Sequence, residues 1–263
     1  MSTESILYSL VDSKSALEAL VKEIKSLPTD KPSLYIDLEG INLCRNGSIS
    51  VIAIFVQPRD YVYLVDVHAL QSAAFTTAAD DTTLKSILES PTITKVFFDL
   101  RNDSDALHHH FGVRLRGVED IQLMENAARP ARRRRFVNGL ERCIDRDAPI
   151  SADQKRDWKA AKEKGLKLFH PNKGGSYEVF NARPMDKDIE RYCVNDVKFL
   201  PELRNQYLGR LNEAWKKKVA EETEKRVRES QSAAYQPQSE DKVYGPWEKP
   251  LSVNFMDKLS LYD

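Results

Sequence analysis

A chain of 263 residues can bury one large core or two modest ones, and 41% hydrophobic with 30% charged residues is the composition of a globular protein. Forty acidic and forty basic residues cancel, so only local patches can argue for a polyanionic partner. No apolar run approaches the roughly 20 residues needed to span a bilayer, and the N-terminal MSTESILYSLVDSKSALEAL lacks the basic start and apolar block of a secretory signal. Cys44, Cys143 and Cys193 have no CxxC spacing, which fits a reducing compartment and excludes a zinc ribbon. These features lead us to expect an intracellular protein, of cytoplasm or nucleus, with no membrane partner.

The segment 12–26 places Leu17, Leu20, Val21 and Ile24 at helical spacing, with polar cap candidates before it and LPTDKP behind. SLYIDLEG (33–40) reads as a strand, followed by a turn at Asn46 and Gly47, then by ISVIAIFVQ and, after QPRD, by YVYLVDV. Links this short predict an antiparallel meander of three strands. Next come a helix over 80–90, a short strand over 94–100, a helix over 102–111, a brief strand at GVED and a helix over 121–129. Strand, helix and strand in that order predict parallel additions to the sheet.

FVNGLERCIDR (136–146) is amphipathic, and 151–165 predicts a helix stopped by Gly165. The segment 168–184 is a loop rich in Pro and Gly, and 185–211 is strongly helical with an interruption near Pro201. The dense mixed charges of 211–230 predict a solvated helical arm, able to recruit a protein partner or a second copy. A loosely held tail, docking only through Trp247, Phe255 or Leu259, is expected beyond it. The organisation expected is therefore one α/β domain over 1–210 and a charged extension over 211–263.

The first strand raises a chemical question. Side chains two apart on a strand share a face, so Asp37 and Glu39 lie side by side opposite the apolar Leu34, Ile36 and Leu38. Like charges so placed raise one another's pKa unless a cation or donor sits between them. Further acids occur at Asp99, Asp103 and Asp105, where a strand gives way to a helix. Tyr192 and Asp196 stand four apart and therefore stack on one helix face.

Asp-x-Glu on a first strand, an Asp after a later strand and Tyr-x-x-x-Asp on a C-terminal helix together resemble the three motifs of DEDD-superfamily 3′–5′ exonucleases. The branch is DEDDy, with ribonuclease D and the Werner-type exonuclease, over roughly residues 12–210. The LFHPNKGGSYEVFNARP loop resembles more closely the exonuclease-domain proteins related to Egalitarian. The resemblance implies a ribonuclease H-like α/β fold, with a mixed sheet of three antiparallel and then parallel strands, helices on both faces and a C-terminal helical extension. It places Asp37 and Glu39 on motif I and Tyr192 and Asp196 on motif III. For motif II it selects Asp103, with Asp99 as the alternative and Asp105 two residues beyond. Phe98 and Asp99 stand where relatives commonly carry a small polar residue, His or Asn, so the resemblance carries over no substrate-end contact in that stretch.

Four carboxylates suit hard divalent ions, Mg²⁺ or Mn²⁺, rather than zinc. The implied activity is two-metal hydrolysis of phosphodiester bonds from the 3′ end of single-stranded nucleic acid, RNA in preference to DNA. On that reading Asp37 bridges both ions, Glu39, Asp103 and Asp196 complete their ligands, and Tyr192 orients the attacking water.

Each motif has a plainer counterpart. Asp-x-Glu occurs on edge strands and Tyr-x-x-x-Asp in many helices by chance, so the signal lies in their joint order. Relatives that have lost acids serve as RNA-binding adaptors, which leaves a catalytically silent adaptor as the rival reading. Arg132, Arg133, Arg134 and Arg135, in RPARRRRF, are candidates for phosphate contact, against a solvated loop or a nuclear targeting signal. Lys162, Lys164 and Lys167 would extend that basic rim. His108, His109 and His110 diverge by about 100 degrees per residue and cannot converge on one ion. Gly174 and Gly175 serve either a turn or a terminal nucleotide, and Tyr177 and Phe180 either core or base stacking.

Overall fold

The computed structural model describes residues 7–247. Its centre is a six-stranded mixed sheet built from β1 (Leu7–Val11), β2 (Leu34–Glu39), β3 (Val51–Val56), β4 (Tyr61–Asp66), β7 (Lys95–Phe97) and β8 (Val118–Asp120), while β5 (Ala78–Ala79) and β6 (Thr82–Thr83) pair in a small hairpin of their own. The strand order is β1-β4-β3-β2-β7-β8. β2, β3 and β4 form the expected antiparallel meander, and β7 and β8 add to it in parallel.

Alternation along β2 divides the core. Leu34, Ile36 and Leu38 pack on one face with α1 (Lys14–Lys25), α2 (Val67–Leu70), α3 (Ala73–Thr76), α4 (Leu84–Glu89) and the apolar side of α5 (Arg101–Phe111). Tyr35 faces the opposite layer, formed by α6 (Ile121–Ala128), α7 (Leu140–Asp147), α8 (Ala152–Phe169), α9 (Lys187–Lys198) and α10 (Leu200–Leu208). Asp37 and Glu39 share Tyr35's side by strand alternation, so the acids point into the α8–α9 layer. The sequence boundaries of α1 hold because Ser13 caps its first turn and Leu17, Leu20, Val21 and Ile24 are all buried.

The structure adds one strand that the sequence did not announce and corrects two expectations. Residues 7–11 form a strand, parallel to β4 at the sheet edge, where the sequence shows only a short mixed run. Gly165 does not stop α8, which continues to Phe169, because the missing side chain is needed for helix contact and not for a cap. The break expected near Pro201 is present, at Phe199, and Pro201 occupies the first turn of α10, where a missing N–H costs nothing.

The other corrected expectation concerns 211–230, which folds as α11 (Glu213–Ser230) and is not a solvated arm: Val219, Thr223, Arg226, Val227 and Ser230 are buried against α5, α6 and β8. Arg226 sits at the centre of this contact. Its guanidinium lies 2.7 Å from Asp120 and 3.6 Å from Asp99, in a setting where each charge needs the other. The following stretch is also fastened, since Arg45 donates to the carbonyls of Ser230, Ser232 and Ala233, and Lys242 and Tyr235 both donate to Asn102 Oδ1. Trp247 packs edge-on against Trp215 at 5.3 Å. Phe255 and Leu259 lie outside the described residues.

Candidate active site

β2 sets the position of the first two acids. In the antiparallel register Asp37 stands opposite Ala53 and Glu39 opposite Val51, so a methyl group is all that crowds Asp37 from across the strand pair. Asp196 arrives from α9. One carboxylate oxygen from each of Asp37, Glu39 and Asp196 lies within 4.8 Å of the others, a spacing at which one cation could touch all three.

Asp103 enters from the first turn of α5, where the helix N-terminus favours a carboxylate. It is buried, the backbone of Leu38 hydrogen-bonds it, and its Oδ1 has no hydrogen-bond partner. The two alternatives are otherwise engaged. Asp105 accepts from the Arg45 backbone N–H and Nε, both at 2.7 Å. Asp99, in the left-handed region at φ 62°, accepts from Arg101 Nε and Nη2 at 2.5 and 2.7 Å. A carboxylate saturated by a guanidinium has little left for a second cation; Asp103 has an oxygen to spare.

The α8–α9 contact builds the rest. Trp158, Lys162, Gly165 and Phe169 recur on one face of α8 and meet α9. Trp158 Nε1 donates to the Asn195 carbonyl at 2.9 Å, and Asn195 returns the bond to the Trp158 carbonyl. Phe169 meets the Tyr192 ring edge-on at 5.0 Å. A Cβ at Gly165 would stand 2.5 Å from Tyr192 Cδ2, so this glycine is the space the ring occupies. Lys162, one turn earlier, extends its ammonium to Tyr192 Oη (3.1 Å) and to both Asp196 oxygens (2.8 and 2.6 Å).

Lys162 was therefore misplaced by the sequence reading, which set it on an outer rim with Lys164 and Lys167. Those two do face outward, Lys164 toward Asp188 at 4.0 Å. The stripe Trp158, Lys162, Gly165, Phe169 is the signal that distinguishes Lys162, since the other three are core residues.

The electrostatics follow from burial and crowding. Burial pushes Asp37 well above the ordinary carboxylate range, and Glu39, Asp103 and Asp196 add to the effect. Burial, then Asp196, raises Glu39 to about 8. Burial, then Asp99, raises Asp103 to about 7. Burial alone would lower Lys162, but Asp196, Glu39 and Asp37 outweigh it and its pKa rises. Tyr192 is pushed up by burial and by the same carboxylates, which keeps its hydroxyl protonated at neutral pH. Such a pocket attracts cations strongly: Lys162 is built into it, and the charge of Lys242 also acts on Asp103.

The remaining candidates fall elsewhere. Arg132, Arg133 and Arg135 are exposed around a separate cavity, whereas Arg134 lies over the Trp215 ring at 3.9 Å. The three histidines meet different neighbours, with His110 at the Cys44 carbonyl and His109 beside Asp105. Gly174 adopts φ 86° and Gly175 packs on the Leu168 carbonyl, so this pair serves a turn. Phe180 is core, 5.1 Å from Phe169.

Comparison with known proteins bears on the fold and the family. The piRNA biogenesis protein EXD1 of Mus musculus is 32% identical over 123 residues, which are 46% of this chain and 20% of that protein. The chain thus spans only a fifth of that relative. Two solved structures of Trypanosoma brucei RNase D share the fold, each with a TM-score of 0.67. The GMP complex is 22% identical, covering 86% of this chain and 65% of that one. The complex with RNA U12 is 21% identical, covering 87% and 72%. The 3′-5′ exonuclease family model matches residues 8–211, a span running from β1 through both arms of the acidic pocket, and the chain belongs to that family.

Proposed function

We propose that the chain removes nucleotides from the 3′ end of single-stranded nucleic acid, RNA in preference to DNA, by metal-dependent phosphodiester hydrolysis. The carrying observation is the convergence of Asp37, Glu39 and Asp196 within 4.8 Å. Asp103 supplies a fourth carboxylate with an unpartnered buried oxygen. An all-oxygen donor set fits Mg²⁺ or Mn²⁺, which these four carboxylates would hold. When bound, a pair of such ions would acidify a water and stabilise the leaving 3′ oxygen.

The chain's own groups do the rest. Tyr192, kept protonated, can hold the attacking water while Phe169 and Gly165 fix its ring. Lys162 holds Asp196 and Tyr192 together and can neutralise phosphate charge as it develops. The RNA preference rests on likeness to Trypanosoma brucei RNase D, whose solved structures include complexes with RNA U12 and with GMP.

An oligoribonucleotide labelled at its 5′ end tests this. Wild type with Mn²⁺ should yield a ladder shortened from the 3′ end, and EDTA or Asp37→Asn should leave the substrate whole. Intact substrate in every lane, with binding retained, would instead favour the adaptor reading, for which the occupation of Asp196 by Lys162 is the structural argument.

A further inference from the structure

We infer that a cavity framed by α6, α7, α10 and the 129–138 loop is a second nucleic-acid site, holding a single-stranded segment away from the acidic pocket. This rests on the nuclease reading for its ligand class and adds a site that shares no lining residue with Asp37, Glu39, Asp103, Tyr192 or Asp196.

The cavity has a volume of about 720 Å³ and is lined by seven arginines against two carboxylates, Glu125 and Asp147. Both acids are spoken for. Arg129 lies 3.0 Å from Glu125, and Arg210 3.6 Å from Asp147. The other five, Arg132, Arg133, Arg135, Arg142 and Arg146, make no salt bridge among the described residues. In a chain of zero net charge such a concentration makes a local positive field that attracts a polyanion. Guanidinium forks match phosphate oxygens bidentately, and several at one concavity match several phosphates.

The loop that presents them is built, not slack. Arg129 donates to the carbonyls of Arg133 and Phe136, Asn126 to those of Arg134 and Phe136, and the Gly245 N–H to that of Arg135. With its carbonyls drawn inward, the loop turns Arg132, Arg133 and Arg135 to solvent.

An aromatic decides the class of polyanion. Phe136 also lines the cavity and is 48% exposed, one of three large hydrophobics so exposed among the described residues. Tyr244 stacks against it at 5.4 Å and 29°, and the exposed, flexible Arg135 lies over the ring with its guanidinium 5.1 Å from the centroid, a place that a base can take when Arg135 turns to a phosphate. An exposed ring among guanidinium groups accepts an unpaired base on its π-face, which a duplex does not offer.

Binding of a short fluorescent single-stranded oligoribonucleotide to the full chain, in EDTA across a salt series, separates this site from catalysis. Replacing Arg132, Arg133 and Arg146 together by Gln should reduce the slope of log K against log salt by about 2, from about 0.7 per phosphate contact. Phe136→Ala should weaken binding about tenfold with the slope unchanged. Circular dichroism should show both variants folded.

A slope that the triple variant leaves unaltered overturns the proposal. So does a duplex of equal length that binds as well as the single strand, or displacement by micromolar ADP, which would make the cavity a free-nucleotide site. Cleavage is scored separately with Mn²⁺. A wild type that binds through these arginines yet cuts nothing overturns the nuclease reading and leaves the cavity, whereas one that cuts with an arginine-independent slope does the reverse.

Discussion

The Lys162 ammonium lies 2.8 and 2.6 Å from the two oxygens of Asp196 and 3.1 Å from the Tyr192 hydroxyl, so a cation of the chain's own occupies the carboxylate that a metal would need. Removing it should have opposite effects with and without metal. In EDTA, Lys162→Gln leaves three close carboxylates without their counter-charge and is expected to lose about 1–3 kcal/mol of stability. With the competing charge gone, Mn²⁺ should bind the variant more tightly, by roughly tenfold for each 1.4 kcal/mol of competition removed. Thermal unfolding in EDTA and calorimetric titration of Mn²⁺ check the two halves.

Asp37 tests the pocket from the other side. Its carboxylate is crowded by Glu39, Asp103 and Asp196 inside a buried site, so the native charge costs stability in the absence of metal. Asp37→Asn should raise the unfolding temperature in EDTA at pH 8 and abolish the stabilisation that Mn²⁺ gives wild type. Cleavage should fall by at least about 10²-fold, the scale of losing one electrostatic group of an active site. A variant less stable than wild type in EDTA would show that Asp37 is structurally satisfied.

The same crowding fixes a pH dependence. Unfolded carboxyls titrate near 4, whereas Glu39 titrates at about 8 and Asp103 at about 7 in the folded chain. Between those limits the folded state binds more protons than the unfolded state, so these groups make stability fall as pH rises from about 4 to about 8. Lys162, raised above its ordinary value, keeps its proton throughout and does not offset the trend. Metal-free unfolding temperature should therefore decline across that window, and Mn²⁺ affinity should increase across it as protons leave the ligands. A shallower decline in a Glu39→Gln, Asp103→Asn double variant, with Asp37 still raised by its burial, would confirm the origin.

Much of this site was legible because strand and helix periodicities are short-range. Alternation in Leu34–Glu39 places both acids on one face, and the i,i+4 spacing of Tyr192 and Asp196 does the same on α9. Lys162 was not legible in that way: its partner is 34 residues away, and the insertion between α8 and α9 hides which turn of α8 meets which turn of α9. The burial of α11 escaped for a related reason. Its inner stripe includes Thr223, Arg226 and Ser230, polar residues; Thr223 is satisfied within the helix, but Arg226 and Ser230 rely on the distant Asp120, Asp99, Gln122 and Ser104. Arg45, which binds Asp105 and the end of α11, likewise acts over long sequence separation.

Gly165 gives a test of packing against chemistry. A methyl group there would stand 2.5 Å from Tyr192 Cδ2, inside any tolerable contact, and the neighbour is a ring wedged by Phe169. Gly165→Ala ought to destabilise by about 1–3 kcal/mol through overpacking, despite alanine's better helix propensity. Displacing the Tyr192 hydroxyl should lower kcat more than it raises KM, while Mn²⁺ binding, which uses carboxylates, changes little. Tyr192→Phe provides the comparison, since it removes the hydroxyl without moving α8.

Arg226 decides whether α11 belongs to the domain energetically as well as spatially. Its guanidinium is buried 2.7 Å from Asp120 Oδ2 and 3.0 Å from Gln122 Oε1, and Asp120 also accepts the backbone N–H of Asp99 and Gln122. Asp120 therefore ties the end of β8 to the turn that begins α5, the helix bearing Asp103. Arg226→Met, or truncation after Gly209, would strand this carboxylate in a buried setting at a cost of about 3–5 kcal/mol. Since Asp99 would lose the same partner, the turn before Asp103 should loosen first, and hydrogen exchange of residues 99–104 should accelerate ahead of global unfolding. Restoring neutrality with Asp120→Asn in the Arg226→Met background should recover part of the loss, whereas a helix that merely rests on the surface would show no such coupling.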